Sequence, residues 1–129
     1  DGVSKADYVS TASGIAASIA AGAEDTGDVR ELPYLSQTRI ACELRVTFNS
    51  SATEGAQIRI LQSMDNSHWD TDSASGMLGV IPVGSPLTRQ KTFYFDVRSR
   101  YYKPAVKNLD ATYALTFVHL KIIEFPEEV

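Results

Sequence analysis

Residues 39–48, RIACELRVTF, alternate over ten positions. Ile40, Cys42, Leu44, Val46 and Phe48 fall on one side, and Arg39, Ala41, Glu43, Arg45 and Thr47 on the other. Successive side chains of a strand point to opposite faces, so a period of two over this length specifies a half-buried strand and excludes a helix. A strand with one apolar face must set it against a second layer. The rest of the chain supplies strands for that layer. After the turn cluster 49–55, residues 57–62 return with Ile58 and Ile60 inward and Arg59 outward. Residues 77–83 form a short apolar strand stopped by Pro82, Gly84 and Pro86. Residues 92–98 alternate with Phe93, Phe95 and Val97 inward, and 101–106 follow after a short break.

Residues 113–123 close the series. Leu115 and Phe117 occupy one face and Val118, Leu120 and Ile122 the other, which predicts a central strand buried on both sides. In the stretch 14–22, Ile15, Ala17, Ile19 and Ala21 alternate between Gly14 and Gly22, and it is read as an early strand. Residues 23–38 read as loop. Strands at intervals of roughly 8–12 residues, with no helical segment between them, predict an all-β, antiparallel β-sandwich, jelly-roll-like, of seven to eight strands. Residues 1–13 have little periodicity and are expected to form a loose N-terminal arm ahead of a single domain over 14–129.

The 129 residues are enough to bury a core without staples, and the lone Cys42 cannot form an intramolecular disulfide. It shares the inward face of 39–48 and is expected to be a small buried apolar residue. No apolar run approaches the ~20 residues of a membrane span. Catalytic machinery is not evident. His119 sits between Val118 and Leu120 in the last strand, and His68 lies in a loop without a nucleophile elbow or phosphate loop nearby. One Cys and two separated His residues do not make a conventional zinc site. The expectation is a protein without catalysis and without a cofactor, whose work is binding or assembly.

The most distinctive segment is S-M-D-N-S-H-W-D-T-D, residues 63–72. Ser63 and Asp65 are suited to bonding local backbone groups and shaping a tight turn, Asn66 tolerates a left-handed conformation, and Trp69 is expected to fold back over the core edge ahead of Asp70. Asp65, Asp70 and Asp72 offer an alternative calcium site, although the spacing is not that of an EF-hand. The run S-x-D-N-x-x-W-D after an apolar strand resembles a turn of β-sandwich virion proteins of tailed bacteriophages, and is similar to turns of some carbohydrate-binding sandwiches. The order IACELRVTF, IRILQSMDNSHWDT, FYFDVRSRYYKPAVKN, then an Asn-Leu-Asp turn and a terminal strand, extends the resemblance over residues 14–123. Asn66 departs from the Gly usual there. The resemblance implies capsid decoration or a tail accessory role, a location in the virion, and no active site.

Partners follow from charge and aromatics. Acids cluster in residues 1–31 and bases in 89–107, a pattern that can steer like subunits together. The candidate interface comprises Tyr8 and Val9 of the arm with Arg98, Arg100, Tyr101 and Lys103. The arm is expected to pack on a neighbouring copy, with Asp1 and Asp7 approaching its 98–107 strand. The expected partners are therefore further copies and capsid or tail proteins, with no membrane. Nucleic acid is disfavoured, because the chain carries a net charge of −4 and Phe93 and Phe95 belong to a buried face. A carbohydrate-binding module, using Trp69, Tyr94 and Tyr101 as a glycan platform, is the alternative reading.

Overall fold

The structure, a computed structural model, describes residues 9–32, 38–72 and 77–126. Among these residues there is no helix, and nine strands run in the order β1 (Val9–Ala12), β2 (Glu24–Thr26), β3 (Arg30–Glu31), β4 (Thr38–Thr47), β5 (Ala56–Ser63), β6 (Leu78–Ile81), β7 (Thr88–Val97), β8 (Tyr101–Asn108) and β9 (Phe117–Pro126). One sheet has the order β1-β9-β4-β7, and the other β2-β8-β5-β6, with β3 also on β8. Every pairing is antiparallel. Because β2 and β3 run along the same neighbour, they act as one interrupted strand. Each sheet then has four members drawn alternately from both halves of the chain, which is a jelly roll.

The alternation of residues 39–48 holds at every position. Ile40, Cys42, Leu44, Val46 and Phe48 are all buried, facing Ala56, Ile58, Ile60, Tyr102 and Val106 of the second sheet. At the edge shared by β6 and β7 the sheets close tightly, since a side chain at Gly79 would run into the Phe93 ring. Burial also pushes the Cys42 thiol up to about 12. A thiol reagent should therefore find Cys42 only when the protein opens. With stabilities of the usual size, we expect native modification to be slower than in denaturant by on the order of 10³-fold or more, read by absorbance during labelling.

Several expectations change. Residues 14–22 are not a strand, and of them only Ile19 bridges, to Leu115. The presumed loop 23–38 contains β2 and β3, short polar edge strands with no apolar alternation to reveal them. The last strand starts later and buries one face only. Val118, Leu120 and Ile122 are inside, whereas Phe117, on the outer side of its sheet, is 41% exposed. Its position between β1 and β4 is nonetheless interior. Within the expected arm, Val9–Ala12 is not loose but pairs with Lys121–Glu124 of its own chain, where β9 offers a free edge. Asp1, Asp7 and Tyr8 lie outside the described residues.

Glu124 extends the buried face of β9. It is 1% exposed, and its carboxylate receives the Arg30 guanidinium through Nε at 2.8 Å and Nη2 at 3.1 Å, with the Tyr102 hydroxyl at 2.6 Å. These partners stand on β3 and β8, so one carboxylate ties the two sheets together.

Candidate functional site

The segment after β5 folds as its side-chain chemistry dictates. Ser63 Oγ accepts the backbone N–H groups of Asn66 (3.0 Å) and Asp65 (3.3 Å) and donates to Asp65 Oδ1. Asp65 Oδ1 in turn accepts the N–H groups of Ser67 and His68, both at 2.9 Å, and Oδ2 meets His68 Nδ1 at 2.8 Å. Asn66 adopts the left-handed conformation expected of it, with φ of 60°. The His68 backbone N–H, then its ring, then the Ser67 N–H hold the Asp65 carboxyl well below the usual carboxylate range. This carboxylate is the centre of a turn, with its lone pairs directed at its own loop. Ser63 and His68 both address Asp65 and no bond joins them to each other, so the three do not form a nucleophile relay.

Asp70 and Asp72 do not join Asp65. The Asp70 N–H bonds the Gln62 carbonyl at 3.1 Å, continuing the sheet edge past β6, and Asp72 lies in the field of Arg59. Among the described residues no three His, Cys, Asp or Glu side chains are grouped to hold a metal, so the calcium alternative has no ligand set there.

Trp69 does not close over the core. Lys103 Nζ sits 4.4 Å from its ring centroid, on the outer side of the β8 sheet, where a cation–π contact contributes roughly 0.5–1 kcal/mol. Lys103 pairs with Leu61 in register, and Leu61 is only 5% exposed although it stands outside the core cluster. The loop therefore covers the outer face at this point, helped by a bond from Arg59 Nη1 to the Thr71 carbonyl at 3.2 Å. Tyr101 is two residues from Lys103 on the same face. Tyr94 is outward on β7, in the opposite sheet. The fold brings Trp69 and Tyr101 together and sends Tyr94 to the other side, so the three aromatics cannot line one platform. Beside the turn is an open cleft of about 480 Å³ lined by Ser63, Met64, Asp65, His68, Asp70 and Arg98.

The segregated charges meet within the chain. Because β2 and β3 run antiparallel to β8, Glu31 pairs with Arg100 at 2.8 Å, and Glu24 lies opposite Lys107 while holding Arg59 at 2.7 Å. The Arg59 hydrogen bond keeps the Glu24 carboxyl below its usual value. Arg100 also lies over the Tyr101 ring. Of the candidate interface residues, Arg98 is exposed at the cleft, Arg100, Tyr101 and Lys103 share intramolecular partners, and Val9 is in β1. Between subunits, Glu24, Glu31 and Arg100 are thus not available in the way their clustering along the chain suggested.

The Asn-Leu-Asp turn that follows β8 is a second organising centre. Asn108 is completely buried; its Nδ2 donates to the carbonyls of Tyr113 (2.8 Å), Ala20 and Ile19, and its Oδ1 accepts the Asp110 N–H. Asp110 accepts backbone N–H groups from Thr53, Tyr113, Thr112 and Glu54, which hold its carboxyl down to about 2. A group with a depressed folded pKa stabilises above its unfolded value and ceases to do so as pH falls through the folded one. Stability should fall as acid is added from the ordinary carboxylate value of 3.8 to about 2, and Asp110→Asn should flatten that part of the profile. Urea midpoints measured across this range check it.

No protein-family model and no curated protein matches the chain. Among solved structures it is similar to a chain of the IBDV viral particle, with a TM-score of 0.57 and 10% identity over 93% of this chain and 31% of that one. It is also similar to a chain of the infectious bursal disease virus Gx strain (TM-score 0.52, 7% identity, 95% of this chain, 36% of that one). The C-terminal CBM6 of LamC, a marine laminarinase from Zobellia galactanivorans, matches with a TM-score of 0.51 and 11% identity, covering 92% of this chain and 100% of the module. The chain thus spans about a third of the viral chains and the whole length of the carbohydrate-binding module. At these identities the likeness is one of fold, a β-sandwich shared by viral capsid proteins and carbohydrate-binding modules.

Proposed function

We propose that the protein is a non-catalytic virion structural protein of a phage, associating with copies of itself and with a capsid or tail surface. The observation that carries this reading is where the large apolar side chains are left. Tyr94 is 66% exposed, Met64 64%, Leu78 44% and Phe117 41%, on a frame whose distinctive turn is engaged internally, as are the Glu24–Arg59 and Glu31–Arg100 pairs. Uncovered aromatic and apolar side chains on strands and at a strand end suit contact with other proteins. The jelly-roll strand order is compatible with this role, and the virion is the location that goes with it. Size-exclusion chromatography with light scattering, at high micromolar concentration, should detect oligomers of the full chain. Co-sedimentation with purified shells of a phage whose genome encodes the protein should deplete it from the supernatant. A strict monomer that stays in the supernatant overturns the proposal.

The carbohydrate reading retains one specific support, the placing of Trp69 and Tyr101 on one face near an open cleft. A glycan array with the full chain separates the two. We expect no saturable binding. Binding lost in a folded Trp69→Ala variant would favour the module.

A further inference from the structure

The outer face of the β1-β9-β4-β7 sheet can be read row by row from its register. Across β9, β4 and β7 the outward side chains form the rows His119–Arg45–Gln90, Lys121–Glu43–Thr92, Ile123–Ala41–Tyr94 and Phe125–Arg39–Asp96. Three of these rows carry charged groups, and the row Ile123–Ala41–Tyr94 carries none, only an aliphatic chain, a methyl and a phenol. Tyr94, at its end, is the most exposed large apolar side chain among the described residues. The apolar row lies in the middle of strand β4, with Arg39 two residues to one side and Glu43 two residues to the other.

Centred on β4, that arrangement is self-complementary about an axis across the strands. Two sheets packing face to face lie about 10 Å apart with strands nearly aligned. A twofold axis parallel to the strands and running along β4 would lay Arg39 on Arg39 and Glu43 on Glu43, like charge on like. A twofold axis across the strands, through Ala41, superposes the apolar rows of two copies and reverses their charged neighbours. Arg39 of each copy then faces Glu43 of the other, twice per dimer, at a distance along β4 of about 7 Å from the axis. Arg39 already meets Asp96 at 3.0 Å, and a guanidinium has donors enough to serve both carboxylates. The geometry points to a symmetric homodimer through this face, with Ala41 at the centre of the apolar contact, Tyr94 meeting its copy at one end of it and the Arg39–Glu43 pairs choosing the axis. The inference rests on the self-association proposed above and specifies its surface.

Charge reversal with mixing tests it on the full chain. Arg39→Glu alone sets Glu against Glu43 at both pairs, and Glu43→Arg alone sets Arg against Arg39. By sedimentation velocity each single variant should dimerise at least about tenfold more weakly than the parent. An equimolar mixture of the two restores both opposite-charge pairs and should recover a heterodimer within about threefold of the parental Kd. Tyr94→Asp, at an exposed position, should weaken dimerisation by on the order of tenfold or more with an unchanged thermal melt. If all variants dimerise like the parent, this face is wrong while self-association stands. If the single variants weaken but the mixture does not recover, the axis is wrong and the inference is overturned. A parent that is monomeric throughout removes the self-association itself.

Discussion

Replacing Glu124 by Ala should lower the free energy of unfolding by about 3 kcal/mol, the low end of the ~3–5 kcal/mol seen when one partner of a buried pair is removed. The low end applies because the Arg30 side chain is 38% exposed and can regain water. The Tyr102 hydroxyl cannot: its residue is 1% exposed and donates to this carboxylate. Urea denaturation should show a lower midpoint with an unchanged slope. Glu124→Leu combined with Tyr102→Phe removes the charge and the orphaned donor together, and should recover part of the loss. A cost below about 1 kcal/mol for Glu124→Ala would mean that the carboxylate does not join the sheets. The same cluster sets an alkaline limit. Burial, then the Glu124 hydrogen bond, pushes the Tyr102 pKa above its usual 10. With the folded pKa raised, the contribution is complete below the unfolded value and is lost as pH rises past it, so stability should decline above about pH 10.

Asn108→Ala is the second large effect, about 2–4 kcal/mol, because one fully buried side chain bonds three carbonyls and one N–H. The damage should be local as well as global. Asn108 and Asp110 anchor the segments at 19–23, 52–54 and 112–115, so limited proteolysis of the variant should open those segments first. A urea midpoint within error of the parent would show that water substitutes for the amide.

What the sequence disclosed depended on whether a face was covered. β4 was legible because its inward residues Ile40, Cys42, Leu44 and Val46 are all apolar and all buried. β2 and β3 were illegible because an edge strand paired only with β8 needs no apolar alternation. Near β9 the apolar residues Leu115 and Phe117 suggested a second buried face, whereas Leu115 is buried ahead of the strand and Phe117 within it is 41% exposed. Glu124 held a detectable clue, since it continues the phase of Val118, Leu120 and Ile122, but a carboxylate at that phase reads more naturally as a strand ending. Within the distinctive turn, the local bonds of Ser63, Asp65 and Asn66 could be read from side-chain chemistry alone. The place of Trp69 could not, because its partner Lys103 is 34 residues away along the chain. The opposed charge clusters were legible as composition, and only the pairing of β2 and β3 with β8 turned them into neighbours.

The position of β9 has a consequence for synthesis. The last of these nine strands to leave the ribosome belongs between β1 and β4, two of the earlier ones. Until residues 117–126 emerge, the first sheet has an empty slot, β4 shows an unpaired edge, and β1 has no neighbour. That sheet therefore closes only after translation has passed its final strand, by contacts between distant parts of the chain, which is a slow route. The waiting chain displays bare strand edges to every sibling on the same polysome. A protein made in bulk would gain from a chaperone, or a preformed assembly, that shields β4 during that interval.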